Sequence, residues 1–192
     1  MKRLALATAL FAVAAGAAQA ETYEIDTRHT QVHFTYSHMG LSNITGRFAD
    51  ATGTIVYDPA DPSSASIEIS VPIASVSTGV TAMDDHFKRD DLFDEARFPT
   101  ATFKSTSVQA AGEGKLKLTG DLTIHGVTRE ASFDVTVNGM MEHPMRKVPA
   151  AGFDAVGTIK RSDFGVDKYL GGIPDEVRIN VTIEAIAAAK AE

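Results

Sequence analysis

Residues 176–185 read EVRINVTIEA, and this stretch decides the fold class. Its apolar side chains occupy every second position, and the residues between them are polar; the apolar set is Val177, Ile179, Val181 and Ile183. Period-two alternation is typical of a strand that buries one face and exposes the other. The stretch therefore predicts a β-strand near the C-terminal end, with its apolar face against a core.

The same alternation recurs toward the N-terminus, with turn residues between the runs. Together with 176–185 it predicts eight or nine strands, the others lying near 22–26, 32–38, 47–57, 66–71, 100–107, 115–124, 129–137 and 152–159. His125-Gly126 separates two alternating runs and predicts a tight hairpin. Strands that follow strands through short turns indicate an antiparallel all-β protein, which leaves a barrel and a sandwich both open.

The two ends of the chain differ from this pattern. Residues 1–20 combine a basic start, an apolar run and an Ala-x-Ala site, which predicts a cleaved signal peptide and a periplasmic protein. Residues 21–192 are then a single domain that does not span a membrane, since they contain no apolar run of about 18 residues. The Ala-rich segment 185–191 is expected to fray.

Charge and composition exclude several classes of function. The formal net charge of −7 disfavours nucleic acid as a partner. The absence of cysteine excludes thiol catalysis and cysteine-based metal sites. No motif for a serine nucleophile or a phosphate-binding loop is present, so the sequence indicates no enzyme and no cofactor.

Most of the conspicuous charge falls in TAMDDHFKRDDLFDEARFPTATF, residues 81–103. A helix over 81–95 would place Val80, Met83 and Phe87 on one apolar stripe, with Thr81 as its N-cap. Its acidic and basic residues would then form a solvated face. We favour that interpretation over an acid–base or metal site.

The histidines do not form a recognisable metal motif. Asp84, Asp85 and His86 are adjacent on the predicted helix and point in different directions, and His29 and His33 are too far apart on a strand. We therefore predict no metal site. Copper binding by one loop stays open, because thioether and imidazole ligands suit Cu(I); the loop carries Met140, Met141, His143 and Met145.

A hollow interior and a packed one are both compatible with the apolar residues. The sequence contains ten Phe and no Trp, and an eight-stranded barrel is just wide enough to be filled by side chains or to hold one slender ligand. Large residues are expected to point inward at Phe34, Tyr36, Phe48, Phe103, Phe133 and Phe153. Small residues share those faces and could leave room for a chain-like guest, namely Ala51, Gly53, Ala131, Ala155 and Gly157.

Four ordered blocks resemble the YceI-like family of periplasmic polyisoprenoid-binding proteins, over essentially all of 22–186. They are YEIDTRHTQVHFTYSHMGLSNITGRF, ISVPIASVSTGVTAMDDHFKRDDLFDEARFPTATFKS, GDLTIHGVTREASFDV, and GFDAVGTIKRSDFGV followed by DEVRINVTIEA. The family's DxHxxxxDxFD pattern corresponds here to Asp84 or Asp85, His86, Asp90 or Asp91, Phe93 and Asp94. The resemblance implies that this charged block is a helix at a barrel mouth.

The resemblance also implies an extended antiparallel eight-stranded lipocalin-like barrel with a short helix near one end. It implies an apolar tunnel for a polyprenyl or quinone-like lipid, no secure enzymatic activity, and the possibility of a homodimer. The expected tunnel lining is Phe34, Tyr36, Phe48, Ile69, Met83, Phe87, Phe93, Phe103, Phe133 and Phe153. The expected head-group contacts are His38, Arg47, His86 and Arg161.

The resulting hypothesis is a periplasmic protein that sequesters or carries a long isoprenoid-type lipid. Burial would drive binding, since each methylene withdrawn from water is worth about 0.8 kcal/mol. Two alternatives stay open. One is a non-catalytic dimeric interaction module linked to a stress response or a membrane redox protein, with a filled barrel. The other is a hydrolase that acts on a lipid-like substrate.

Overall fold

The computed structural model describes residues 20–188. The predicted signal peptide therefore lies outside the described residues, apart from Ala20. The described part contains one α-helix, α1 (Thr81–Phe87). Its strands are β1 (Glu21–Ile25), β2 (Gln31–His38), β3 (Ser42–Phe48), β4 (Thr52–Tyr57), β5 (Ser66–Pro72), β6 (Val76–Ser77), β7 (Thr100–Ala110), β8 (Lys115–Ile124), β9 (Val127–Glu142), β10 (Pro149–Lys160) and β11 (Glu176–Ala187).

The strands close into an antiparallel barrel. The order β1-β4-β5-β7-β8-β9-β10-β11 returns to β1, because β1 and β11 also pair. This ring confirms the predicted eight-stranded barrel with a short helix, and it settles the choice between barrel and sandwich. Closure removes the unpaired edges that an open sheet would expose.

Three neighbouring positions in the barrel are each built from two strand segments. β11 pairs with β1 near Ala185 and with β2 near Val181, so β1 and β2 occupy one position in succession. In the next position, β4 pairs with β1 and β3 pairs with β2, so β3 and β4 also share one position. In the position after that, β5 pairs with β4 and β6 pairs with β3, so β5 and β6 share it. Eleven segments therefore make a barrel of eight positions.

Hydrogen bonds satisfy the backbone where these positions are interrupted. The Ser75 hydroxyl donates to the carbonyl of Ala49 at 2.8 Å and to that of Pro72 at 2.7 Å. The Asp26 N–H donates to the carbonyl of Glu184 at 2.8 Å. The interruptions are thus cross-linked bends in the wall, since their buried polar groups keep partners.

The His125-Gly126 hairpin is confirmed. Ile124 pairs with Val127, and the two residues between them have φ of 53° and 73°. A two-residue turn with both φ values positive matches the right-handed twist of the flanking strands.

The helix is shorter than predicted. It ends at Phe87, and Val80 rather than Thr81 is its N-cap, with no side-chain capping bond. Beyond it the chain folds back on itself, because the Phe93 N–H bonds to the carbonyl of Phe87. This return packs Phe93 beside Phe87, with ring centroids 5.9 Å apart. Tertiary packing of the rings therefore overrides the helical periodicity of 88–95.

The expectation of a frayed C-terminal segment is wrong for residues 185–187. Ala185 is fully buried because it pairs with Ile25 on one side and with Ala151 on the other. Small side chains are used here because the wall is crowded, not because the chain is loose.

The two ends of the barrel are built differently. At the closed end, which contains β1, the interior is solid: Tyr23 is 1% exposed, and the rings of Tyr57 and Phe153 meet edge to face at 5.5 Å. At the opposite end lie the β2–β3 turn, α1 and the loop 165–175, which together we call the mouth. Within residues 20–188, no helix is long and apolar enough to cross a membrane.

Candidate ligand-binding cavity

A cavity of about 590 Å³ runs from the mouth into the barrel. The alternating face of β11 lines it from Val177 to Ile183, a stretch that spans about 20 Å at roughly 3.3 Å per residue. Its volume lies within the roughly 300–1,000 Å³ of ordinary ligand pockets. The hollow is therefore long and narrow.

The wall is apolar inside the barrel, below the mouth. Besides the β11 residues, aliphatic and aromatic side chains contribute from most other strands and from the loops, among them Val32, Phe34, Ile67, Ile69, Val71, Phe103, Leu118, Leu122, Ile124, Phe133, Ala155, Ile159 and Val166. Among the described lining residues, none is Asp or Glu. Such a wall favours a hydrocarbon guest, because an unpaired polar group would lose its hydrogen bonds to water here.

Glycines on neighbouring strands give three of the rings room to lie against the wall. A Cβ on Gly157 would stand 2.6 Å from Cδ1 of Phe133, and one on Gly120 would stand 2.6 Å from Cζ of Phe103. Gly46 faces the Phe34 ring in the same way, at 2.6 Å from Cε1. Because each ring occupies the space of a missing side chain, the centre of the barrel stays open.

A cluster of phenylalanine rings packs between α1 and the barrel wall. Phe87 on the helix meets Phe34 on β2 edge to face, with centroids 5.4 Å apart. Phe93, on the segment after the helix, meets Phe48 on β3 at 5.8 Å. Edge-to-face pairs add about 0.5–1.5 kcal/mol each beyond area burial. These contacts hold α1 against the mouth of the barrel.

Polar groups gather only near the mouth. His38, His86 and Lys168 line this end of the cavity, together with Tyr169, whose ring lies 5.9 Å from that of His86. Deeper in, burial raises the pKa of the Tyr36 hydroxyl above its usual value, an effect that the charge of Arg161 opposes. Tyr36 therefore stays neutral and offers an O–H where the wall becomes polar.

Arg161 organises the loop on one side of the mouth. Its guanidinium donates to the backbone carbonyls of Val166 at 2.8 Å, Lys168 at 2.7 Å, Ile173 at 3.1 Å and Pro174 at 3.0 Å. Four of its five N–H groups are thereby engaged. Arg161 lines the cavity, but its donors mainly hold the loop in place.

The acidic residues of 81–103 disperse instead of converging. Asp84 Oδ1 accepts hydrogen bonds from the hydroxyl and the N–H of Thr78, both at 2.6 Å, and these bonds hold the pKa of Asp84 below its usual value. Asp85 is 63% exposed, with its carboxylate 4.0 Å from the Lys88 ammonium. Asp84 thus ties α1 to Thr78, the residue that follows β6.

One acidic residue does approach the cavity. Asp91 Oδ2 lies 3.7 Å from Nε2 of the cavity-lining His86. The other oxygen of Asp91 is buried and has no hydrogen-bond partner among the described residues. Among the polar groups at the mouth, this His–carboxylate pair most resembles an acid–base site.

Most of the residues predicted for the site line the cavity. They are Phe34, Tyr36, His38, Phe48, Ile69, Met83, His86, Phe87, Phe93, Phe103, Phe133 and Arg161. Two predicted residues lie elsewhere. Phe153 points inward but packs into the solid closed end, against Tyr57. Arg47 is exposed on the outer face, because it alternates with the buried Gly46 and Phe48.

Sequence reasoning missed the loop residues Val166, Lys168, Tyr169 and Ile173, which carry no periodicity. It also missed a group at the junction of β1 and β2, where ligand atoms of Asp26, His29 and Glu184 lie within 4.8 Å of one another. Asp26 already accepts hydrogen bonds there from the Arg28 N–H and from His29.

The Met/His loop joins β9 to β10, outside the cavity. His143 Nδ1 accepts hydrogen bonds from the N–H groups of Met145 and Arg146, at 3.2 Å and 3.1 Å. Met141 and Met145 are 64% and 86% exposed. Whether this loop binds copper stays open.

Comparison with known proteins identifies the family. A family model described as the YceI-like domain matches residues 23–185. The chain belongs to the YceI-like family. It is 35% identical to Protein YceI of Escherichia coli O6:H1, over 95% of this chain and 96% of that protein. It is 38% identical to a UPF0312 protein of Pseudomonas syringae pv. tomato, over 95% of this chain and 94% of that one.

Three solved structures have the same fold. BcnA of Burkholderia cenocepacia superposes with a TM-score of 0.76 at 29% identity, covering 83% of this chain and 98% of that one. The YCEI protein of Campylobacter jejuni gives 0.72 at 30% identity, covering 80% and 90%. A polyisoprenoid binding domain from Saccharophagus degradans gives 0.60 at 18% identity, covering 86% and 98%.

Proposed function

We propose that this YceI-like protein binds a long isoprenoid-type lipid, such as a polyprenyl or quinone tail, and sequesters or carries it in the periplasm. The observation that carries the proposal is the apolar cavity, about 590 Å³ in volume and open at the mouth. Family membership supports a binding role, and one solved protein of the same fold is described as a polyisoprenoid binding domain. The basic, then apolar, then Ala-x-Ala pattern of residues 1–20 supports export.

The binding energy would come from burial along the chain of the guest. With about 0.8 kcal/mol for each methylene withdrawn from water, a multi-prenyl tail needs few polar contacts. The narrow apolar wall accepts a slender chain and disfavours a bulky or charged one. The polar groups at the mouth would meet the head group of the guest.

Native mass spectrometry followed by organic extraction tests the proposal. The wild-type protein, purified without added lipid, is expected to carry a lipid mass that extraction releases. A bare polypeptide mass over repeated preparations would contradict the carrier function.

A matched pair of substitutions tests whether the guest occupies the cavity. Ala155 lines the cavity, and the adjacent Val156 is 36% exposed on the outer face of β10. Ala155→Trp places an indole in the lumen and is expected to abolish the lipid mass. Val156→Trp adds the same group outside and should retain it. Equal retention by both variants would show that the guest lies elsewhere.

A hydrolase that acts on a lipid-like substrate is the second candidate, because His86 and Asp91 are paired at the mouth. It requires a nucleophile or an activated water beside His86, and no serine is among the described lining residues. Loss of ester hydrolysis on both His86→Ala and Asp91→Asn, with a pH–rate profile that shifts in the second variant, would support it. The interaction module requires a filled barrel, which the cavity disfavours.

A further inference from the structure

Four large apolar side chains stand exposed around the mouth, and we call them the rim. Met39 and Leu41, on the β2–β3 turn, are 60% and 82% exposed. Tyr169 and Leu170, on the loop 165–175, are 51% and 45% exposed. Exposed apolar residues scattered singly are ordinary, but a group that borders one opening indicates an interaction surface.

The rim is continuous with the cavity. Met39 and Tyr169 line the cavity as well as being exposed. The apolar wall therefore reaches the outer surface at two points of the mouth. Any partner that covers the rim also covers the opening, which matters if a lipid passes through it.

Backbone geometry holds the rim residues outward. Met39 and Tyr169 have φ of 54° and 64°, a left-handed conformation that is uncommon for bulky residues. Strained positions of this kind persist where the surroundings impose them, and they cluster at functional sites. The hydrogen bonds from Arg161 to the carbonyls on both sides of Tyr169 impose that conformation on the loop.

The opening of the cavity and the charges around it indicate the partner. The apolar wall reaches the surface at the rim, so a guest can pass directly into a partner whose interior is hydrocarbon, as in a phospholipid bilayer. Acidic side chains lie around this opening, namely Asp84 and Asp85 on α1, Asp91 beside His86 and Asp167 in the loop 165–175, so the bilayer surface should carry no net negative charge. A soluble protein partner would not need the opening of the cavity at the centre of the interface.

We infer that the rim docks the barrel, mouth first, onto a zwitterionic phospholipid bilayer, so that the guest passes between bilayer and cavity without crossing water. This inference rests on the proposed function, because it supplies the route by which a carried lipid would enter and leave. Four side chains make a shallow contact, so the docking is weak and reversible.

The absence of tryptophan allows a direct test. Leu41→Trp places a single fluorescent indole on the rim, and Met145→Trp places one at the opposite end, where Met145 is 86% exposed. Vesicles of phosphatidylcholine should shift the emission of the first variant to shorter wavelength and leave the second unchanged. Equal shifts in both, or no shift in either, would overturn the inference.

Flotation with the same vesicles provides a second readout. The double variant Leu41→Ser with Leu170→Ser changes two rim residues that do not line the cavity, and should lower the bound fraction about tenfold. The matched control, Met141→Ser with Met145→Ser, removes exposed apolar residues at the far end and should bind as the wild type does. A blue shift of the Leu41→Trp variant that grows with protein concentration in the absence of vesicles would assign the rim to a second copy of the chain and overturn the bilayer.

Binding of a fluorescent polyprenyl analogue, added from ethanol without vesicles, separates this inference from the proposed function. The Leu41→Ser, Leu170→Ser variant should bind the analogue as the wild type does while losing vesicle binding, which supports docking. Loss of analogue binding by that variant would show that the rim belongs to the guest site, and would overturn the inference. If the wild type fails to bind the analogue, the proposed function fails, and the vesicle result still decides whether the rim docks.

Discussion

The closed end and the mouth of this barrel are made from the same alternating strands, yet one is solid and the other hollow. At the closed end Tyr23, Tyr57 and Phe153 fill the space between the walls. Toward the mouth Phe34, among others, lies flat over a glycine of the neighbouring strand, and the centre stays open. The alternation of a strand thus determines which side chains face inward, and the glycines opposite the rings determine whether those side chains fill the interior.

The largest expected effect is on stability, and a second substitution separates stability from guest binding. Phe153→Ala leaves a void in the solid end and should lower the free energy of unfolding by about 3–5 kcal/mol. Phe93→Ala, at a half-buried position of the cavity wall, should lower it by about 1 kcal/mol but should weaken retention of the guest. Urea denaturation and extraction of bound lipid measure the two quantities.

The opposite pattern would contradict the division into a solid closed end and a guest-binding mouth. If Phe93→Ala unfolds the protein as readily as Phe153→Ala, the mouth is part of the structural core. If Phe153→Ala loses the guest at temperatures where it stays folded, the closed end takes part in binding.

A smaller effect is expected from restoring a side chain opposite a ring. Gly46→Ala places a methyl group against the Phe34 ring, which has to move off the wall toward the lumen. Overpacking of this kind costs about 1–3 kcal/mol, and the displaced ring should also reduce guest binding. The measurements are urea denaturation and uptake of a polyprenyl analogue.

Gly139→Ala is the control for that substitution. Gly139 also lies in a strand, its φ is not positive, and no atom lies within 4 Å of the added Cβ. The change should be neutral or slightly stabilising, because alanine has less freedom in the unfolded chain. If Gly46→Ala behaves in the same way, the glycines do not keep the lumen open.

The smallest effect concerns how α1 is attached at the mouth. Hydrogen bonds from Thr78 keep the pKa of Asp84 below its ordinary value of 3.8. A depressed carboxyl pKa stabilises the folded state above the ordinary pKa, and that contribution is lost as the pH falls through the folded value. The protection factors of residues 78–87 in amide hydrogen exchange, which correct for the intrinsic effect of pH, should therefore fall below about pH 4.

Two variants check this assignment. Asp84→Asn should show lower protection factors at neutral pH and little further change in them on acidification. Asp85→Asn, which alters an exposed carboxylate without a Thr78 contact, should follow the wild type. Identical behaviour of the two variants would show that Asp84 does not anchor the helix.

The barrel was predictable from the sequence because period-two alternation is local. EVRINVTIEA specifies its inward face without reference to any other strand, and its four apolar residues do line the cavity. The same rule places Arg47 outside, between the inward Gly46 and Phe48, so the head-group role assigned to Arg47 disregarded the pattern. The family resemblance added the ring closure and the position of the helix.

The alternation does not predict how far along the barrel axis each inward-facing residue lies. Phe153 and Phe133 both face inward, but only the pairing register places the first in the solid end and the second over Gly157. Tyr169 lies in a loop without periodicity, and its place at the mouth depends on hydrogen bonds from Arg161 on both sides of it. These facts depend on contacts between segments that are distant in sequence.

The pairing of β1 with β11 joins the beginning of the described chain to its end. In the same region the Thr30 hydroxyl reaches the carbonyl of Glu184, a partner 154 residues away. Contacts of such high sequence separation form slowly, since the loop-closure entropy has to be overcome before they contribute. No compartment for a guest therefore exists on a nascent chain, and loading has to follow the synthesis of the last strand.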